Sequence, residues 1–185
     1  LKMYCDRLKK KLINPRPNIK IKKISSSISY VDADNSIGFV SSDIGVSQAI
    51  KNAKKTGIGL VAIKKSGHFG LSSFYAEQAV KKNLIVFCFT NAPPALAPYG
   101  AKKSLFGTNP ICFGAPTGKV PFILDTSTSI INRGKIRHAN KFGRKTKNPF
   151  DDFSWPQNVG HLFITIDPKI FIGRKYIKEI KKNIR

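Results

Sequence analysis

No apolar run in this chain approaches the length of a membrane span, and the opening residues Leu1-Lys2-Met3-Tyr4-Cys5-Asp6 carry no signal-peptide pattern. These absences predict a soluble cytoplasmic protein. Cysteine is sparse as well: three residues, an odd number, with Cys88 and Cys112 inside apolar runs and none at metal-ligand spacing. Neither a disulfide framework nor a zinc site is expected, and no other metal centre is predicted. Acidic side chains are few, 10 against 33 Lys and Arg, which leaves a formal net charge of +23. A surplus of that size invites a polyanion or nucleic-acid reading, because basic surfaces release counterions on binding phosphates. However, the sequence lacks a zinc finger, an RNA-binding aromatic signature and a DNA-reading helix pattern. Its lysines are spread along the whole chain, with local clusters at Lys9-Lys10-Lys11 and at Lys20, Lys22 and Lys23. A solvated lysine surface is the expectation, with nucleic-acid binding as the alternative.

What is present is a globular composition, 41% hydrophobic over 185 residues, enough for one core and one domain. Residues 1–12 read as the end of a helix, and Asn14-Pro15-Arg16-Pro17 as extended chain before a strand-like run from Ile19 to Ile24. Val31-Asp32-Ala33-Asp34-Asn35 reads as a turn. Ser42 or Asp43 is placed to cap a helix that buries Val46, Ala49, Ile50 and Ala53 and ends at Gly57. Leu60 to Ile63 forms a strand. A second helix from Ser72 to Lys82 turns Phe74, Ala76, Ala79 and Val80 inward and leads to a strand from Leu84 to Phe89. Further strands are expected at Ile111-Cys112-Phe113 and from Val120 to Leu124, and a short terminal helix from Arg174 to Arg185.

Gly57-Ile58-Gly59-Leu60-Val61-Ala62 imitates the dinucleotide fingerprint of spaced glycines. That fingerprint requires a strand before the glycines and a helix after them, so that a pyrophosphate meets a helix N-terminus. Here the order is reversed, and a helix C-cap followed by a buried strand is the better reading. A Rossmann fold is rejected.

Four polar, turn-forming motifs stand at the ends of apolar runs: Ser66-Gly67-His68-Phe69-Gly70, Thr90-Asn91-Ala92-Pro93-Pro94, Gly107-Thr108-Asn109-Pro110 and Asp125-Thr126-Ser127-Thr128-Ser129. Glycines on both sides of His68 let the backbone bend and a ligand approach closely, and the other motifs supply hydroxyls, amides and free N–H groups. Each also has a plain structural reading. His68 could be a satisfied histidine beside a strand, Asn109-Pro110 an ordinary turn, and Asp125 to Ser129 a capping cluster for a following helix. Read together, they predict one site built from strand ends.

The order and wording of these motifs resemble the type-2 malate/L-lactate dehydrogenase family, whose members are NAD(P)-dependent 2-oxoacid reductases. The resemblance runs from about Tyr4 to His138 and resumes at Gly160-His161-Leu162-Phe163-Ile164-Thr165-Ile166-Asp167-Pro168. It implies an α/β fold with a mixed, largely antiparallel sheet flanked by helices, a homodimer, and NAD or NADP as cofactor. It further implies that His68 is catalytic and that Asn91, Asp125, Thr126 and Ser127 line the cofactor site, with Thr90, Gly107 and Thr108 as further cofactor contacts. An imidazole titrating near neutrality suits proton transfer to the carbonyl oxygen of a small 2-oxo acid.

Two departures from the family pattern accompany the match. The chain begins downstream of the family's Ser-His-Gly motif and the arginine that follows it, so neither Arg7 nor Arg16 can be assigned to the substrate carboxylate from sequence. After Gly134-Lys135-Ile136 an internal block is missing, so the chain divides into a nicotinamide-site region (1–147) and a C-terminal strand and helix (148–185) of one partial domain. A remnant without activity is therefore a second reading beside an oxidoreductase for small 2-oxo or 2-hydroxy acids.

Overall fold

The computed structural model describes residues 2–129, 138–139, 141–143 and 159–168. Helix α1 (Lys2–Lys9) is followed by strands β1 (Lys20–Lys23) and β2 (Ile28–Ser36), helix α2 (Gly38–Thr56), strand β3 (Ile58–Ser66), helix α3 (Ser72–Val80) and strands β4 (Ile85–Thr90), β5 (Ile111–Ala115), β6 (Phe122–Thr126) and β7 (Val159–Ile166). The strands form one seven-stranded sheet in the order β1-β2-β3-β7-β4-β5-β6. Only β2 and β3 run parallel; the remaining pairs are antiparallel. The expected mixed, largely antiparallel α/β architecture is what the chain adopts.

Period-two burial sorts each strand's side chains onto two faces. Val31, Val61, Ile63, Phe163, Val86, Cys88 and Cys112 point one way and meet Val46, Ala49 and Ala53 of α2 and Tyr75, Ala76 and Ala79 of α3. Small residues let helix and sheet approach. A Cβ on Gly59 would stand 2.0 Å from the carbonyl oxygen of Ala49, and one on Gly45 would stand 2.4 Å from Ile63 Cδ1. Gly57 ends α2 in the left-handed region at φ 87°, its N–H returning to Ala53 O, as the C-cap reading requires. Cys88 and Cys112 are free thiols directly opposite one another, both fully buried. The neighbouring thiol and burial both push Cys88 far above the ordinary thiol range.

Three readings of the sequence need correction. Val31 to Asn35 is not a turn but the second half of β2. Asp34 and Asn35 do adopt positive φ, 49° and 56°, yet the result is a register shift between Asp32 and Ser36 rather than a chain reversal. Neither Ser42 nor Asp43 caps α2, which starts earlier at Gly38 after an extended Ile37 that makes no side-chain cap. Ser41 and Ser42 are instead buried within the helix. In α3 Phe74 is 59% exposed, and Tyr75 takes the inward position, donating its hydroxyl to Phe69 O at 2.6 Å. The helices expected after Ser129 and from Arg174 fall outside the described residues.

Phe163 lies at the middle of the sheet, fully buried and edge-on to Tyr75 at 5.8 Å. Phe163→Ala is expected to cost about 3–5 kcal/mol, read as a lower urea midpoint at unchanged m-value.

Candidate active site

The strand ends converge on one edge of the sheet because β7 lies between β3 and β4. His161 of β7 pairs with Ile63 on one side and Thr90 on the other. Where β3 stops, Ser66 leads into the Gly67–Gly70 loop, and where β4 stops, Thr90 leads into Asn91. His161 bridges them: Nε2 lies 2.9 Å from Ser66 Oγ and 3.1 Å from Gly67 O, and Nδ1 lies 2.8 Å from Thr90 Oγ1. The Gly67 carbonyl only accepts, so Nε2 carries a proton toward it, while Nδ1 faces the Thr90 hydroxyl, which also lies 3.0 Å from Gly160 O and 3.1 Å from Asn91 O. Ser66 continues the chain to Ser41 at 2.8 Å. Burial, reinforced by the nearby His68, holds the His161 imidazole down at about 4, although the Gly67 carbonyl acts in the opposite sense.

His68 sits in the loop, half-buried. Its Nδ1 accepts the Tyr4 hydroxyl at 2.8 Å and the Gly70 N–H at 3.3 Å. The amide can only donate, so Nδ1 carries no proton and the neutral ring bears it on Nε2. Tyr4 arrives from α1, where burial raises its pKa and the charge of Arg7, one helical turn on, opposes the rise. Gly70, at φ 81°, passes so close to Phe39 that a Cβ would stand 2.5 Å from Cε1.

The remaining motifs join the same edge. Asn91 Oδ1 accepts the Gly160 N–H at 2.7 Å, which identifies its other amide atom as nitrogen and leaves that donor on an exposed residue. Asn109 Oδ1 accepts the Ala92 N–H at 2.8 Å. Gly107 is obligatory beside them, because a Cβ would stand 2.0 Å from Ala92 O. Thr108 O accepts both the N–H and the hydroxyl of Thr128, at 2.9 and 3.0 Å. Ser127 turns its hydroxyl toward Ser129, and Thr126 is exposed at the end of β6. Asp125 accepts the Ser73 N–H at 2.7 Å, so its carboxylate caps α3 rather than only a helix following it in sequence. The four motifs thus form a connected circuit, from His68 through Gly70 to α3, across Asp125 to β6, and through Thr128, Thr108, Asn109 and Asn91 to Gly160 and His161.

Sequence reasoning missed Tyr4 and His161 as site residues. Both lay inside segments quoted for the resemblance, but neither stands beside a turn motif, and nothing local joins them to His68. Among the described residues no group of three or more His, Cys, Asp or Glu side chains is placed to hold a metal ion. No helix among them is long and apolar enough to cross a membrane.

The fold is a non-Rossmann α/β sheet whose strand ends carry His68 with amide and hydroxyl groups beside it. Residues 1–150 match the family model described as malate/L-lactate dehydrogenase, and the chain belongs to that family. It is 40% identical over 146 residues to the L-sulfolactate dehydrogenase of Methanocaldococcus jannaschii, an alignment covering 79% of this chain and 42% of that one. With the malate dehydrogenase of Pyrococcus abyssi the identity is 38% over 145 residues, covering 78% and 40%. The solved sulfolactate dehydrogenase structure from Methanocaldococcus jannaschii superimposes with a TM-score of 0.79 at 29% identity, covering 98% of this chain and 68% of that one. The chain spans about two fifths of the length of the two curated relatives in those sequence alignments.

Protonation of His161 sets an acid limit on stability. The unfolded chain binds this proton near pH 6.5 and the folded chain only near 4, so its stabilising contribution is complete above 6.5, declines between 6.5 and 4, and is lost below. The expected loss is about 3 kcal/mol, measured by urea unfolding at pH 7 and pH 4, and absent from His161→Phe. Separately, Asp125→Ala is expected to destabilise the chain by about 1 kcal/mol through loss of the α3 cap, measured by thermal unfolding.

Proposed function

We propose that this chain is an oxidoreductase domain that interconverts small 2-oxo and 2-hydroxy acids, of malate or lactate type, with NAD(P)H. The single observation that carries this reading is His68, whose Nδ1 is engaged by Tyr4 and Gly70 so that Nε2 presents the proton. His68 is the general acid for reduction, delivering that proton to the carbonyl oxygen, and the general base for the reverse reaction. A nicotinamide held at this edge would supply the hydride that reduction of the 2-oxo acid to the 2-hydroxy acid needs. The residues present suit such a ligand: Asn91 carries an amide donor on an exposed residue, and Thr126, exposed at the end of β6, stands two residues before the Thr128 that bonds Thr108 O. Asn91, Thr108, Thr126 and Ser127 would hold the cofactor. Thr90, Gly107 and Asp125 act behind them, because Thr90 faces His161, Gly107 packs on Ala92 and Asp125 caps α3. Arg7, close enough to Tyr4 to lower its pKa, brings the positive charge that a 2-oxo acid's carboxylate needs.

The family likeness also supports a homodimer. β6 offers a matching surface, an edge strand with Phe122 and Leu124 about half exposed. The alternatives, a remnant that retains the fold without turnover and a basic polyanion-binding protein, keep their basis in the chain's short span of its relatives and its net charge of +23.

The test is absorbance-monitored oxidation of NADH and NADPH with oxaloacetate, pyruvate and 3-sulfopyruvate. Turnover is expected, with His68→Ala lowering kcat by about 100-fold or more and Tyr4→Phe by a smaller factor. Absence of turnover with every pair would overturn the reading in favour of the remnant.

A further inference from the structure

We propose that His161 is the positioning residue of this site: a neutral imidazole on β7 that fixes the peptide carrying His68 and, through its other nitrogen, the strand end carrying Asn91. Its catalytic consequence rests on the oxidoreductase reading; its structural consequence does not.

The geometry is convergent. The Gly67 peptide is held from three sides. Its N–H donates to Ser36 O at 3.1 Å, its carbonyl accepts from His161 Nε2 at 3.1 Å, and Gly38 lies against it so closely that a Cβ would stand 2.3 Å from that oxygen. His68 is the next residue along. On the opposite edge of the ring, Nδ1 lies 2.8 Å from the Thr90 hydroxyl, which itself reaches Gly160 O at 3.0 Å and Asn91 O at 3.1 Å, and Asn91 follows Thr90. The ring plane is set by stacking on Phe69 at 4.3 Å and 20°, and Phe69 stacks in turn on Tyr75 at 5.3 Å. One side chain, 3% exposed, therefore registers the loops of two different strands against each other.

Stability alone does not call for an imidazole here. A buried polar ring must be fully partnered merely to offset its desolvation, and an apolar side chain of similar volume would fill the space at no such cost. What the imidazole adds is direction: a hydrogen-bonding nitrogen on each side, Nε2 toward the Gly67 carbonyl and Nδ1 toward the Thr90 hydroxyl. Its burial, with both nitrogens engaged inside the protein, separates it from the reacting atoms, so His161 acts through His68 and Asn91.

Two variants separate positioning from core filling. His161→Phe keeps the stack and the volume but has no hydrogen bonds, whereas His161→Gln keeps a donor and an acceptor. The readouts are melting temperature, NADH affinity by fluorescence, steady-state kinetics and the ring 15N chemical shifts of His68, which report its tautomer. His161→Phe is expected to lower kcat by about 10–100-fold, as small displacements of a reacting group do. NADH affinity should change by less than about threefold if the loss lies in proton delivery rather than binding. The His68 15N pattern should move from a single Nε2–H tautomer toward an average of two, with Gln restoring both kcat and pattern in large part. Unchanged kcat and an unchanged His68 pattern in a folded His161→Phe would overturn the proposal. If His161→Phe does not fold, Thr90→Val, which removes the Nδ1 partner together with that hydroxyl's bonds to Asn91 O and Gly160 O, takes its place with the same criteria, and Thr90→Ser, which keeps the hydroxyl, is its control. If the wild-type chain turns over no 2-oxo acid, the oxidoreductase reading fails, and the His68 15N pattern alone decides the positioning role.

Discussion

The insertion of β7 between β3 and β4 is the constraint on which the rest of this structure depends. Without it the sheet would fall into two pieces, β1-β2-β3 and β4-β5-β6, and the buried face would lose Phe163 and Thr165 from its centre. Thr165 shows how tightly the three layers are joined, since its hydroxyl lies 2.8 Å from Ala49 O in α2 and 3.3 Å from Gly59 O in β3. A hydroxyl buried there is partnered only if α2 and β3 are in place beside β7. Core and site are therefore assembled by one strand that lies far away in the chain.

That dependence explains the character of the site. Its parts come from loops that share no local interactions, and what joins them is a series of buried hydrogen bonds, Ser41 to Ser66, Ser66 to His161 and His161 to Thr90, with an exposed one from Gly160 to Asn91. In a low-dielectric interior such a chain is strong when complete and costly when broken. The two histidines differ by environment: His68 is half-exposed and oriented by Tyr4, whereas His161 is held uncharged by burial.

The charge surplus has a simpler physical place. β1 is an edge strand of sequence Lys-Ile-Lys-Lys, exposed at every position, and charged edges resist pairing with other chains. Lys64 and Lys65 both reach Asp32 at 3.3 Å across exposed surface, contacts that contribute little to stability.

Local chemistry was sufficient to read much of this protein from its residues. Gly57 as a C-cap, the alternating burial of β3 and β4, and the four motifs at strand ends all follow from preferences that act over a few residues. The family resemblance added the fold. Local signals failed where one residue type serves two geometries. Asp34 and Asn35 accept left-handed backbone in a turn or in a bulge, and only pairing with β3 selects the bulge. Ser42 and Asp43 look like caps, but the close approach of Gly38 to the Gly67–His68 backbone starts α2 earlier. Asp125 caps a helix that precedes it by some fifty residues. By itself the sequence determined most of the helices and strands, β2 excepted, and which side chains offer polar or titratable groups, because those depend on local preferences and residue chemistry. The tertiary structure alone decided that Tyr4, His68 and His161 lie at one place, because their meeting depends on helix packing and on where β7 enters the sheet.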